Sequence, residues 1–367
     1  MSTPQEHRFP CNTCGSDLRF DPDTGGLSCD HCGASEAIDE SPWGGSANKE
    51  MDFRKALAAE LPEAEMEEIR ITKCENCAAE VEFHENDHAT ECPFCATPVV
   101  IGTGVSRHIK PRGVVPFALS EKQGRKAMAA WVGNLWFAPN GLQEYMRAGR
   151  KMQGIYVPYW TYDADTKSRY SGQRGTIYYE NRKVTVMVDG KRQTRTQRVQ
   201  KIRWKPVSGR VARFFDDILV LGSTSLPKGY TDALAPWDLS ALEPYNAEYL
   251  AGFRAEGYSV DLEEGYIEAR DVMDRRILRD VKFDIGGDRQ QVSNIESKIS
   301  DVTFKHILLP VWLAAYKYRG KTYRFVVNAR TGSVKGERPY STMKIAVATI
   351  AAALLAAAIG YFVYTTK

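Results

Sequence analysis

The sequence predicts a multidomain chain: two small four-cysteine modules, a mixed α+β body built on antiparallel sheet, and one C-terminal transmembrane helix. Three observations lead there. All eight cysteines fall in two blocks of one design, the cysteine-free stretch 110–340 switches between helical and two-residue periods, and residues 345–364 hold neither charge nor proline.

The blocks are Cys11, Cys14, Cys29, Cys32 and Cys74, Cys77, Cys92, Cys95, placed in modules 1–40 and 72–102. In each, a CxxC pair is followed by fourteen residues and a second CxxC pair. Two intervening residues let a tight turn bring both sulfurs onto one ion, and the fourteen-residue excursion lets a short hairpin return with a second turn opposite. Four thiolates then close a tetrahedron around Zn2+ and leave no position for water or substrate, so two structural zinc ribbons, one Zn2+ each, are expected. Modules this small do not bury enough apolar area without a metal or disulfides. Disulfides would need an oxidising compartment, and the polar residues 1–10 offer no apolar core of a secretory signal. Phe20 and Phe83 each lie six residues past the second cysteine and are expected to cover the metal-facing side of their hairpins. His31, His84 and His88 sit near the sulfurs and read as bystanders, because the thiolates already fill each site.

Charge is segregated. Residues 1–100 hold 7 Lys/Arg against 21 Asp/Glu, a net of −14, whereas 101–367 hold 42 against 25, a net of +17. A ribbon that grips phosphate needs cations to displace counterions. These ribbons lack them, so they read as protein-docking modules, or as acidic flaps lying on the basic remainder of the chain.

Between the ribbons, residues 41–71 form a linker: the flexible run SPWGGSAN, then apolar residues near helical spacing (Phe53, Leu57, Leu61, Met66, Ile69) interrupted by Pro62. Two short helices, or one broken at Leu61, are expected there. The body, 110–340, opens with a helix over 120–136, N-capped by Ser120, and a short helix over 141–148. The period then falls to two. Aromatic and polar residues alternate from 154 onward, and Asp189-Gly190 between strand-like runs signals a hairpin. Further strands are expected over 207–221, helices over 243–256 and 262–281, and a last sheet region over 302–334. Two segments echo one another, IYVPYW at 155–160 and ILLPVW at 307–312, which suggests related strands paired in one core with each proline at an edge or bulge.

The stretch 191–205 holds seven basic residues and no acid: Lys191, Arg192, Arg195, Arg198, Lys201, Arg203 and Lys205. On a hairpin they are candidates for contact with an anionic partner, whether lipid, nucleic acid or the acidic ribbons, or form a solvated face. No catalytic arrangement emerges. The run GSTSLPK lacks the second glycine and the final Ser/Thr of a nucleotide-binding loop. Asp216-Asp217 and the Asp284/Asp288 pair read as turn or cap residues, because no histidine or third carboxylate accompanies them at a recognisable spacing; His108 and His306 are isolated. The chain is not expected to be an enzyme.

The twenty residues 345–364 span about 30 Å as a helix, the thickness of the hydrocarbon core. Tyr361, Phe362 and Tyr364 supply an aromatic belt near its end, and Ala348, Ala352, Ala356 and Gly360 make a small-residue stripe that permits helix pairing and hence oligomerisation. Arg330, Lys335, Arg338 and Lys344 precede the helix and Lys367 alone follows it, which places the N-terminal bulk in the cytoplasm and the helix in the inner membrane. The basic body is expected to lie close to anionic lipid.

With these elements assigned, the paired ribbons and the motifs PRGVVPFALS, WFAP, YVPYW, FFDDILV, PWDL, LAGFRAEGY, DIGGD, FKHILLPVW and NARTGSVKGERPYS resemble bacterial TFIIB-type zinc-ribbon proteins, often catalogued as primosomal protein N-prime or superfamily II helicase. The resemblance covers almost the whole chain. It implies zinc at all eight cysteines and transfers no catalytic residue; the helicase label disagrees with the missing nucleotide loop. Some relatives are associated with membrane-stress systems containing phage-shock and SPFH-type proteins, which implies a membrane-bound adaptor with such proteins as partners. The expected function is therefore a tail-anchored adaptor that recruits protein partners to the cytoplasmic membrane face. The rival is a DNA-associated replication protein that uses the basic hairpin.

Overall fold

One antiparallel ladder runs the length of the protein. The computed structural model describes residues 9–39, 41, 49–74, 80–82, 89–92, 94, 97–100, 105–139, 152–188, 191–318 and 321–365. Its first long strand, Gln153–Val188, pairs with Lys191–Leu221 on one edge and Arg289–Tyr318 on the other. Strands average five or six residues in globular proteins; these have 36, 31 and 30. Alternating aromatic, β-branched and long polar side chains sustain them, and Pro206 is tolerated because Lys191–Leu221 is the outer strand of the sheet. The echoing segments are neighbours, with Tyr156 opposite Pro310 and Pro158 opposite Leu308. Each proline sits one residue before an outer partner begins, Tyr159 with Leu221 and Val311 with Asn328, so its missing N–H costs no ladder bond.

Two irregularities bend the ladder at one level. Asp163 stands alone opposite Asp216 and Asp217, and the register of the third strand shifts between Asp163 and Asp165. Asp217 and Asp301 take left-handed backbone, φ 49° and 52°, which aspartate tolerates better than most residues.

The helix Leu262–Ile285 covers one face. Its buried residues Leu262, Gly265, Ala269, Met273, Ile277, Val281 and Ile285 repeat every three or four positions and form a single stripe. Gly265 allows the close approach, since a Cβ there would lie 2.6 Å from the Tyr162 hydroxyl. Trp160 and Tyr162 donate to the Val260 and Leu262 carbonyls at 3.0 and 2.7 Å. Gly286 and Gly287, φ 64° and 76°, end the helix, and the third strand starts at Arg289. Asp288 accepts the Ile177 N–H at 2.7 Å, just past the last rung of that strand, Gly175 with Arg289. DIGGD is thus the turn from helix to strand, as its sequence suggested.

At the other end of the ladder, helix Glu121–Gly133 packs over Trp312 and Phe325, with the Ser120 N–H bonded to the Gln123 side chain at 2.7 Å. Gly113–Val114 pairs in parallel with Ile307–Leu308, and Lys321–Asn328 with Val334–Gly336 closes the sheet. The terminal helix is Thr342–Thr365, 24 residues with none buried.

Several expected elements differ. Residues 51–71 contain the short helix Phe53–Leu57 and, past Pro62, the 3-10 turn Glu63–Glu65, as the interrupted pattern suggested; Met66 and Ile69 instead join strand Met66–Lys73, because pairing with Val105–Ile109 overrides a weak helical period. The helix expected over 243–256 is absent: Pro244 and the left-handed Gly252 break it, and strands Glu243–Pro244 and Arg254–Ala255 flank a 3-10 turn. Strand 207–221 is continuous with the basic stretch rather than separate. The last sheet region begins at Arg289, not near 302. The helix over 141–148 and Asp189-Gly190 lie outside the described residues.

Candidate functional site

The first four-cysteine block folds as a three-stranded module, Leu18–Asp21, Gly26–Cys29 and Ser35–Glu36. Both CxxC turns have the same build. Cys11 N–H donates to Ser16 O and Cys29 N–H to Ala34 O, at 2.7 and 2.9 Å, and Gly15 and Gly33 adopt φ 74° to close each turn. The four sulfurs lie within 4.8 Å of one another, with Cys11–Cys32 at 3.6 Å and Cys14–Cys29 at 3.5 Å. A disulfide needs about 2.05 Å, whereas the edge of a tetrahedron with Zn–S near 2.3 Å is about 3.8 Å. The donor set fits one zinc ion. Backbone and hydroxyl groups of Ser16 lower the Cys14 thiol to about 6. At Cys32 the Ala34 N–H favours the thiolate, but Cys14 and the other sulfurs outweigh it and push the thiol up to about 12. Four sulfurs this close hold four negative charges only around a cation.

Cys11 and Cys29 face inward, Cys14 and Cys32 outward. The inward side docks on segment 245–253: Phe20 packs on Tyr249 and Phe253, its N–H donates to Ala251 O at 3.0 Å, and Asn246 donates to Asp39 O at 3.0 Å. Phe20 therefore packs in one cluster with Cys11, Leu27 and Cys29 of its own module and also binds the module to the body, a docking made of apolar contacts and hydrogen bonds rather than acid on base. His31 is exposed and outside the sulfur cluster. In the second block, Cys74 and Cys92 are buried, and Cys92 N–H donates to Thr97 O at 2.8 Å, repeating the turn of the first. Cys77, Cys95, Phe83, His84 and His88 lie outside the described residues.

Pairing assembles a second cluster that spacing did not reveal. The bulge opposite Asp163 gathers Asp163, Asp216 and Asp217, and the third carboxylate judged missing from Asp216-Asp217 is Asp163, more than fifty residues away. Lys305, 3% exposed, reaches Glu50 at 3.1 Å and Asp217 at 2.9 Å. Thr303 donates to Glu50, and Asp163 accepts the Asp217 N–H at 2.7 Å. Burial, with the Glu50 carboxylate beside it, pushes Asp163 up to about 7. Burial opposes the Glu50 charge, yet hydrogen bonds from Asp163 and Thr303 and the Lys305 ammonium hold Glu50 below the ordinary carboxylate range. Lys305 supplies a buried cation to Glu50 and Asp217 while Asp216 is exposed, so the cluster is a part-buried ion network.

His108 and His306, expected to be isolated, share one small cleft with Glu67, Tyr245 and Glu256. His306 Nδ1 lies 2.7 Å from Ile109 O, and burial pushes both rings down to about 4, so both are neutral at pH 7.

The basic stretch lies on a free-standing arm. Past the rung of Gly175 with Arg289 the third strand has ended, and 176–188 pairs with 191–203 alone for about 40 Å. Residues 176–203 carry eight Lys/Arg against two Asp/Glu. Arg195, Arg198, Lys201, Arg203 and Lys205 are exposed; the side chains of Lys191 and Arg192 lie outside the description. The register puts Arg182, Arg195, Lys201 and Arg203 on one face and Lys183 and Arg198 on the other, so both are basic. Arg198 stacks on Tyr179 at 4.0 Å and Arg203 on Tyr178 at 5.1 Å.

No family model matches the chain, and no solved structure matches it. Among curated proteins it is similar to one from Bacillus subtilis (strain 168) described as "Uncharacterized protein YdjG", 27% identical over 343 residues and covering 92% of each chain.

Proposed function

We propose that the protein is a membrane-anchored, zinc-binding adaptor that holds a basic arm in the cytoplasm for protein partners. The observation that carries this reading is the separation of two surfaces on one rigid ladder. The apolar helix Thr342–Thr365, none of it buried and long enough to span a bilayer, leaves the body near the Gly154–Trp312 end, and the arm occupies the opposite end. Along the first strand, Gly154 and Val188 are about 110 Å apart in contour. A chain built this way positions a binding element at a fixed reach and has no need of turnover. The basic residues Arg330, Lys335 and Arg338 before the helix, with Lys344 in its first turn, favour a cytoplasmic body.

Zinc at Cys11, Cys14, Cys29 and Cys32 stabilises the first module, and the repeated turn at Cys92 supports a second ion held by Cys74, Cys77, Cys92 and Cys95. The partner class that fits the arm is a protein with an acidic surface, the membrane-stress proteins implied by the sequence resemblance being first to try. The second reading is nucleic acid, favoured by one observation: a two-stranded ribbon basic on both faces has the width of a major-groove reader. Crosslinked pull-down from nuclease-treated membranes decides between them, comparing intact protein with a variant carrying Arg195→Gln, Arg198→Gln, Lys201→Gln and Arg203→Gln. Protein partners lost only with the arm charges support the adaptor. Partners unchanged by the variant, with salt-dependent DNA binding abolished by it, overturn the adaptor for the rival.

A further inference from the structure

We infer that the loop carrying Trp136 and Phe137 is a second membrane contact, seated in the lipid headgroup region beside the terminal helix. This rests on reading that helix as a membrane span, and it adds a surface that the body itself presents to lipid.

The geometry points to this loop for three reasons. It is fastened to the first turn of the helix: Ser341 N–H donates to Phe137 O at 2.8 Å, and the Lys344 ammonium donates to Ala138 O at 2.8 Å. Wherever the helix meets the bilayer surface, the loop is there too. It is also held in shape, since Ala138 N–H donates to Leu135 O at 3.0 Å and Ala138 is buried with Met128 and Val132. Finally, it presents apolar surface outward. Trp136 is 80% exposed, Tyr340 56% and Met343 77%. Among the described residues ten large apolar side chains are exposed outside 345–364, and four of them, Trp136, Phe137, Tyr340 and Met343, belong to these two joined segments.

Lipid is the occupant that this position selects. An exposed apolar patch marks a surface that something covers, and here the patch is continuous with a helix that, past Lys344, is apolar on all sides with none of its residues buried. Tryptophan and tyrosine favour the headgroup level, where the ring sits among acyl chains and the N–H or O–H meets water. Arg338, donating to the Tyr340 hydroxyl at 3.2 Å, and Lys344 supply cations at the same level for anionic lipid. One helix alone leaves a body free to swivel. A loop seated beside it fixes which end of the ladder faces the bilayer.

The test uses full-length protein in vesicles of phosphatidylethanolamine and phosphatidylglycerol, with and without lipids brominated near the top or near the end of the acyl chain. Tryptophan emission is the readout, and the terminal helix contains no tryptophan, so the anchor itself is silent. Shallow bromines should quench the wild type more than deep ones, and about half or more of that quenching should disappear in Trp136→Phe, an exposed position where phenylalanine leaves the fold intact. Flotation of the same samples reports the anchor separately. Quenching that is equal in wild type and Trp136→Phe, in vesicles that carry the protein up the gradient, overturns the seated loop and leaves the span standing. Protein that stays at the bottom of the gradient overturns the span, and the loop with it.

Discussion

Replacing Asp163 by asparagine should stabilise the protein at alkaline pH and leave it unchanged in acid. Asp163 lies in the ladder bulge, 3% exposed, with Glu50, Asp217 and Lys305 around it. An unfolded aspartate releases its proton at 3.8; in the folded chain this one holds it to about 7. Between those values the native state binds more protons than the unfolded state, so the contribution of Asp163 is complete below about pH 4 and is lost as pH rises through 7. The full difference corresponds to roughly 4 kcal/mol. Glu50 works in the opposite sense, because its lowered value adds stability that is lost as pH falls. The pair shares one proton and Glu50 runs against Asp163, so the net effect is smaller than that full difference.

Asparagine imitates the protonated side chain: its Oδ1 still accepts the Asp217 N–H, and its amide still donates toward Glu50. Thermal unfolding of detergent-solubilised full-length protein measures the difference. At pH 4 wild type and Asp163→Asn should melt nearly together, the gap should open between pH 4 and 7, and at pH 8 the variant should melt about 3 °C higher. A gap of equal size at both pH values, or a variant less stable at pH 8, refutes the shared-proton account.

The remaining predictions concern the neighbours of that cluster, the metal and the ladder. Lys305→Met leaves Glu50 and Asp217 facing each other without their buried cation, and chemical denaturation should show a loss of about 3–5 kcal/mol. Cys11→Ser opens the first sulfur cluster; elemental analysis should find one zinc fewer per chain, and hydrogen exchange should rise across 18–29 while 155–165 stays protected. Gly172→Ala places a Cβ 2.3 Å from the Gln291 carbonyl, so about 2–3 kcal/mol should be lost, with faster exchange over 289–295.

What the sequence announced and what it hid differ by the range of the interactions. The CxxC spacing of the first block, the Ser120 cap, the stripe from Leu262 onward and the apolar run before Lys367 are local, set by turns and by a 3.6-residue period, and each is found where the residues place it. Segment 243–256 failed because its apolar residues at near-helical spacing, Tyr245, Tyr249, Leu250 and Phe253, are spent on docking the first module, with Phe20 between Tyr249 and Phe253. Alternation along 153–188 announced two faces but neither the length of the strand nor its neighbours. The Asp163 cluster follows from register alone. Tyr162 opposite Ile218 and Ala164 opposite Phe215 leave one residue facing two, and all three are aspartates. A one-residue shift of either strand would turn every core side chain outward, so the burial of Trp160, Tyr162, Phe215 and Ile218 is what holds those carboxylates together. The same burial anchors the base of the arm, which lets two strands carry eight basic residues some 40 Å past their last neighbour.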